Sequence, residues 1–339
     1  LNIGGDFYYK KTTDLFTNVD VSPINGITSY IMNNGDMLNK GFSISLNGYP
    51  VKTKNFRWYM STYYSVNLNK VQTDDARNYN LNDYLNGTAV VSGQPISTFY
   101  SYKFLGLNPQ NGAPMFDDWE DRWHLLQGKT LDEVVPMILV NSGTRDPKFS
   151  GDLNNTFTYK NWSLSLNFSY SLGSKVRLFE MYGPIINGIS AAANVREEFL
   201  DRWQVPGDEK YTVYPLIISP SSPDYEHYRL HYSAPQRAVG PNSGVPAFAN
   251  NVWQMYDDSD LRVVSGNYLK LQSLSFSYRL NDRLLRKTPF TQLSISFNTH
   301  NCFTISAKEL RGQDPSQAGF ADAGLSIRPS YTIGLNVSF

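Results

Sequence analysis

Apolar and polar residues alternate one by one along several stretches of this chain, the period-two signature of strands with two unlike faces. In the last stretch Tyr331, Ile333, Leu335, Val337 and Phe339 fall on one side, with Thr332, Gly334, Asn336 and Ser338 on the other. Trp162, Leu164, Leu166, Phe168 and Tyr170 repeat the pattern against a side made only of Ser and Asn, from Ser163 to Ser171. Phe42, Ile44 and Leu46 continue it, as do Phe56, Trp58, Met60, Tyr64 and Val66, then Leu274 to Leu280, then Leu293, Ile295 and Phe297. Leu1 to Tyr9 also reads as a strand. Each stretch suits the roughly 9 to 11 residues of a tilted strand that crosses a bilayer. A hairpin of Ser97–Leu107 and Ala113–Phe116 across the turn-forming Asn108–Gly112 would bring the count to roughly ten strands.

Alternation alone fits two architectures. In a sandwich the apolar side meets a second sheet; in a membrane barrel it meets lipid while the polar side lines a wet lumen. The connections discriminate. Short links (Tyr49–Lys54, Lys160–Asn161, Asn281–Thr291) alternate with long polar ones (Lys11–Asp36, Gly173–Gly266, Asn301–Ser330), as in bacterial barrels with short periplasmic turns and long outer loops. Strand Phe56–Leu68 then runs outward and strand Phe149–Tyr159 inward, which requires an even number of strands between them. Aromatic residues flank the short links: Tyr49 and Phe56, Tyr159 and Trp162, Tyr278 and Phe290, and Phe339. They form the expected girdle at the inner interface. The fold class is therefore all-β, an antiparallel transmembrane β-barrel with long extracellular loops.

Composition narrows the functions. The 339 residues carry no net formal charge, so no basic footprint for nucleic acid exists. No apolar run approaches the roughly 20 residues of a spanning helix, and Leu1 opens no secretory leader of charged, apolar and small-residue segments. A single cysteine, Cys302, excludes an internal disulfide framework and a Cys-rich metal site. His227 and His231 stand four apart, but Tyr228 follows where a zincin needs Glu and the surrounding sequence reads as a loop. No metal or cofactor is expected. The acidic run Asp117, Asp118, Glu120 and Asp121 lacks EF-hand spacing, and no G-x-S-x-G elbow marks an outer-membrane hydrolase. Trp119, Trp123 and Trp253, in the long connections, are the candidate substrate-binding aromatics; a soluble glycan-binding sandwich would use these and Trp203.

Several segments resemble the SusC/RagA branch of TonB-dependent transporters. Asn33-Asn34-Gly35-Asp36-Met37-Leu38-Asn39-Lys40-Gly41-Phe42 is similar to that family's N-x-G-x-x-x-N-K-G strand entry, with Ser43 in place of the usual acidic residue. Pro147 to Phe157 resembles its P-K-[FY]-x-G-G-[LF]-x-N-T segment, Asp152 replacing the second glycine. Arg202-Trp203-Gln204-Val205-Pro206-Gly207-Asp208 resembles its R-W-x-x-P-G-D loop, and Tyr268-Leu269-Lys270-Leu271 a strand entry. Asn301 to Ser306, with Cys302 in place of Leu, followed by Gly312-Gln313-Asp314-Pro315, resembles N-L-[FY]-T-x-[ST] and G-x-D-P. The resemblance implies that residues 1–339 are the C-terminal portion of a barrel of about 22 strands, with the signal peptide, TonB box and plug domain outside this chain. It implies TonB-dependent import of a bulky oligosaccharide or peptide across a Bacteroidetes-like outer membrane, no catalysed reaction, and a SusD-like surface lipoprotein and TonB as partners. Phe339, closing the last strand, resembles the signal read by the barrel assembly machinery.

Overall fold

The computed structural model describes residues 1–14, 16–20, 29–33, 35–72, 79–117, 119, 121–126, 128–183, 194–217, 220–221, 225–230, 232, 251–317 and 328–339. Eight strands follow the alternating stretches: β1 (Asn2–Thr12), β2 (Asp36–Lys52), β3 (Phe56–Gln72), β4 (Phe149–Tyr159), β5 (Trp162–Leu172), β6 (Tyr268–Arg279), β7 (Gln292–Ser306) and β8 (Ser330–Ser338). They form one antiparallel sheet in chain order, and its two edges, β1 and β8, do not pair with each other. The connections alternate as expected. Residues 53–55, 160–161 and 280–291 turn at one end; residues 13–35, 73–148, 173–267 and 307–329 run at the other.

Register carries the two faces through the whole sheet. Ile44, Tyr64, Gly151 and Tyr170 lie side by side across β2 to β5. Phe157, Leu164, Phe276, Phe297 and Ile333 do so across β4 to β8. The next row is polar throughout: Thr158, Ser163, Ser277 and Ser296. A one-residue slip in any strand would break both rows, so the alternation specifies the register. Where the two-residue repeat is interrupted, at Gly48/Val51 and Leu271/Ser273, a β-bulge restores the facing.

The apolar face is open to the surroundings. Ile3 is 71% exposed and Ile333 79%, and Phe7, Ile44, Ile295 and Leu335 are also exposed. No second sheet covers that face among the described residues, which excludes a sandwich. Polar residues in its middle, Asn155, Thr62 and Thr299, are internally satisfied, as hydrocarbon demands. Asn155 accepts from Trp58 Nε1 at 3.0 Å, Thr62 Oγ1 donates to the Asp152 carbonyl at 2.8 Å, and buried Thr299 lies 3.3 Å from Cys302 Sγ.

The hydrophobic core sits in the outer connections instead. Tyr84, Leu85, Tyr100, Tyr102, Phe116, Leu126, Val134, Val135, Met181, Tyr182, Phe199, Met255 and Tyr256 form one buried cluster contributed by residues 79–139 and 181–256. The strand pair Thr98–Tyr102 and Leu139–Thr144 belongs to it. Every residue from Thr98 to Tyr102 is buried, so this segment has no lipid side and cannot be a barrel strand. Among the described residues Gly106–Leu107 pairs only with Pro114–Met115. The proposed hairpin over Ser97–Phe116 therefore stands in the outer connection, and the parity requirement is met by direct pairing of β3 with β4.

Candidate functional site

The polar face is a wall of Ser, Asn and Thr in which side chains bond one another. Thr156 Oγ1 and Ser165 Oγ are 3.1 Å apart; Ser275 Oγ donates to Asn298 Oδ1 at 2.6 Å, and Asn298 Nδ2 to Ser296 Oγ at 3.3 Å. Gln272, the bulged residue of β6, donates to Ser169 Oγ at 2.8 Å. Such a surface offers both donors and acceptors to a polar solute.

Tyrosines interrupt it. Tyr59 and Tyr63 fall on this face because Trp58, Met60 and Tyr64 hold the other. Tyr49 packs on Tyr59 at 5.2 Å, with Lys52 Nζ 5.4 Å from the Tyr49 ring. Tyr49 thus belongs to the polar side, a correction to its place in the lipid-facing girdle. Its position beyond the Gly48/Val51 bulge shifts its facing. Trp162 stacks on Phe276 at 5.2 Å and touches Tyr278 at 4.4 Å, at the short-turn end as expected. Tyr59 and Tyr63 were hidden in the sequence by aromatic neighbours of the other face; counting strictly by twos from Trp58 exposes them.

Tyr8 lies across Gly41 and donates to Asn67 Oδ1 at 2.9 Å. Tyr170 lies across Gly151 on the other face and donates to the Tyr63 carbonyl at 3.3 Å. A Cβ at either glycine would collide with the neighbouring backbone carbonyl and the tyrosine ring. That explains the glycine in Asn39-Lys40-Gly41 and in Phe149-Ser150-Gly151 as a seat for a cross-strand ring.

Above the sheet, charged residues tie the connections together. Arg177 is held by the carbonyls of Leu85 and Tyr100 and by Ser101 Oγ, at 2.9 to 3.1 Å. The Asp257 carboxylate accepts from the backbone N–H groups of Met181, Tyr182 and Gly183 at 2.8 to 2.9 Å and faces Arg262 at 4.0 Å. Burial pushes the Asp257 carboxyl above its ordinary range, with Arg262 and these N–H groups opposing. Burial likewise raises neighbouring Asp258, against the pull of Arg177 and with Asp257 and Glu180 reinforcing, to about 7. Gln313 accepts from Phe179 N and donates to the Arg177 carbonyl, both at 3.1 Å. Lys270, buried at the outer end of β6, reaches Asp314 at 3.0 Å, and Asp314 also accepts from Ser316 N and Oγ. In the loop 202–208, buried Trp203 backs onto Gly112 and donates to Glu209, while Asp208 accepts from Gln204 N and Val205 N. These segments are structural clamps.

The candidate aromatics are placed differently from one another. Trp119 is 7% exposed and carries the Arg122 guanidinium over its ring at 4.4 Å. Trp253 is 5% exposed, stacks on Tyr225 at 5.7 Å and donates to the Leu216 carbonyl. Both are in the core of the outer connections. Trp123 opens a 3-10 turn (Trp123–Leu125); its side chain lies outside the described residues. So do His231, Asp118 and Glu120; of the acidic run, Asp117 and Asp121 are described and pair with Arg122 at 2.6 and 3.2 Å. Among the described residues no cluster could hold a metal ion. Phe339 is 85% exposed beyond β8, its ring 5.1 Å from Phe290.

An open sheet with a continuous apolar outer face, a polar inner face and a core confined to the long connections defines an outer-membrane β-barrel portion. No protein-family profile matches. TonB-dependent receptor P3 of Formosa agariphila is 24% identical across the whole chain and TonB-dependent receptor P39 of the same organism 22%; the chain spans about a third of each, 32% and 34%. The RagAB peptide transporter superposes on 99% of the chain with a TM-score of 0.69 at 19% identity, the chain covering 33% of it. The same importer in its open-open state gives 0.66. Over its whole length the chain is thus similar to about a third of these TonB-dependent receptors, and it shares the fold of the corresponding part of the RagAB transporter.

Proposed function

We propose that this chain forms part of the wall and outer cap of a TonB-energised importer of a bulky polar nutrient, an oligosaccharide or a peptide. The continuous Ser/Asn/Thr face supports this reading most directly: it hydrogen-bonds a polar solute along the sheet, and the tyrosine rings of Tyr59 and Tyr63 add flat apolar contacts. In this reading the open edges β1 and β8 are closed by the rest of the barrel, because an unpaired edge in hydrocarbon is prohibitively costly. The plug and TonB box belong to that remainder, and a SusD-like lipoprotein covers the outer connections. Trp119, Trp123 and Trp253 belong to the solute's entry region, Trp119 and Trp253 by shaping the cap from within. A strain lacking the full-length receptor, offered oligosaccharide or peptide mixtures as sole carbon source, should lose uptake of one class and regain it only with a version able to engage TonB. Undiminished uptake of both classes would refute the proposal. Affinity purification from the complemented strain should recover a SusD-like lipoprotein.

A further inference from the structure

At the outer ends of β1, β2 and β3 the lipid-facing side changes character. In register, Phe7, Phe42 and Val66 make one row; Tyr9, Lys40 and Leu68 the next; Lys11, Leu38 and Lys70 the one beyond. Three lysines thus gather on the face that is apolar below them. Lys11 pairs with Asp36 at 2.7 Å; Lys40 and Lys70 are exposed and make no ion pair among the described residues. Among the described residues the cluster keeps two positive charges after that pairing. Beside it lies a half-open cavity of about 500 Å³ lined by Tyr9, Lys11, Asp36, Leu38 and Lys70, with Ser92 and Gly93 also on its wall.

Height fixes what the cavity meets. Twelve residue steps separate Phe56 from Leu68 on β3. At ~3.3 Å per step and ~45° tilt they rise ~28 Å, close to the ~25 Å apolar band of such barrels. The lysines therefore stand at head-group level of the outer leaflet, where anionic lipid groups attract basic side chains. A solute in the lumen cannot reach them from the opposite face.

We propose that Lys11, Lys40 and Lys70 form a site for the phosphate-bearing head group of an outer-leaflet lipid, with Tyr9 and Leu38 against the top of its chains. The full-length receptor in detergent, titrated with a phosphorylated glycolipid (lipid A) and followed by native mass spectrometry, should retain the lipid. Lys40→Gln with Lys70→Gln should weaken retention roughly 30-fold, at about fivefold per lysine, and dephosphorylated lipid A should bind the unaltered receptor as weakly. Lys52→Gln, near the opposite end of β2, should change nothing. Equal retention of the dephosphorylated lipid, an equal loss with Lys52→Gln, or displacement by inorganic phosphate alone at comparable concentration would overturn the assignment. A heat-modifiable band at normal abundance certifies folding; if the double variant fails that check, Lys70→Gln alone serves, with about a fivefold loss expected.

Discussion

At the residue scale, the segments that carried the family resemblance turn out to be fasteners. Lys270 is the clearest. Its ammonium is buried, and its partner Asp314 sits in the Gly312-Gln313-Asp314-Pro315 segment of the last long connection. Removing one partner of a buried pair leaves an uncompensated charge, at a cost of about 3–5 kcal/mol. Lys270→Ala should therefore lower the thermal midpoint of the folded barrel and open the 307–317 segment to protease, whereas Lys103→Ala, whose exposed ammonium meets Asp260 at the surface, should cost under about 1 kcal/mol. Normal protection in Lys270→Ala would show that the pair is not a clamp. Much of this was out of reach of the sequence. The motif residues are short-range patterns, and what gives Lys270 its importance is a contact made across 44 positions. Trp119 and Trp253 illustrate the same limit: a tryptophan in a long polar connection reads as exposed, but here the connections bury a core of their own.

At the scale of elements, the strands were legible because a sheet with unlike faces must be written with period two. Facing gives a direct test. Leu166, opposite Leu274 near the middle of β5, lies on the lipid side, and Asn167, opposite Ser273, on the polar side. Leu166→Arg should cost about 2–4 kcal/mol at the bilayer midplane and deplete the folded receptor from the outer membrane, while Asn167→Arg should assemble normally. The reverse outcome would invert the sheet. The outer connections were less legible, since Thr98–Tyr102 is buried on both sides and carries no alternation to follow. Their stability should also depend on pH. Asp258 holds its proton to about 7 in the folded cap but only to about 3.9 in an unfolded chain. Between those values the folded state binds the extra proton, so stability falls as pH rises from about 4 to about 7 and is level above; Asp257, also raised, acts in the same direction. Hydrogen exchange at the amides of Met181, Tyr182 and Gly183 should quicken across that window for this reason beyond the intrinsic rate, and Asp258→Asn should flatten the trend. An unchanged slope in the variant would remove Asp258 as its origin.

At the scale of the whole molecule, the chain is arranged inside out relative to a soluble protein. Its large apolar residues face outward from the sheet, and its buried core is lifted to one end. Such a sheet has to be delivered to a bilayer, because β8, at one edge of it, presents backbone groups and exposed apolar side chains together. β8 is suited to that delivery. Tyr331, Ile333 and Leu335 are exposed on one face, and Phe339 projects past the last paired residue, touching only Phe290 among the described aromatic rings. An assembly factor could add its own strand to this edge, gaining backbone hydrogen bonds from β8 and a ring in a side-chain pocket. If Phe339 serves only as an interfacial anchor, its loss would cost little, since Trp162, Tyr278 and Phe290 remain in the same belt. If it is read during assembly, its loss should act before any transport defect appears. Deleting Phe339 from the full-length receptor is therefore expected to lower its abundance in the outer membrane and to raise periplasmic degradation products, while the molecules that do assemble keep wild-type heat-modifiability and uptake per receptor. Normal abundance of a heat-modifiable barrel would leave Phe339 with the anchoring role alone.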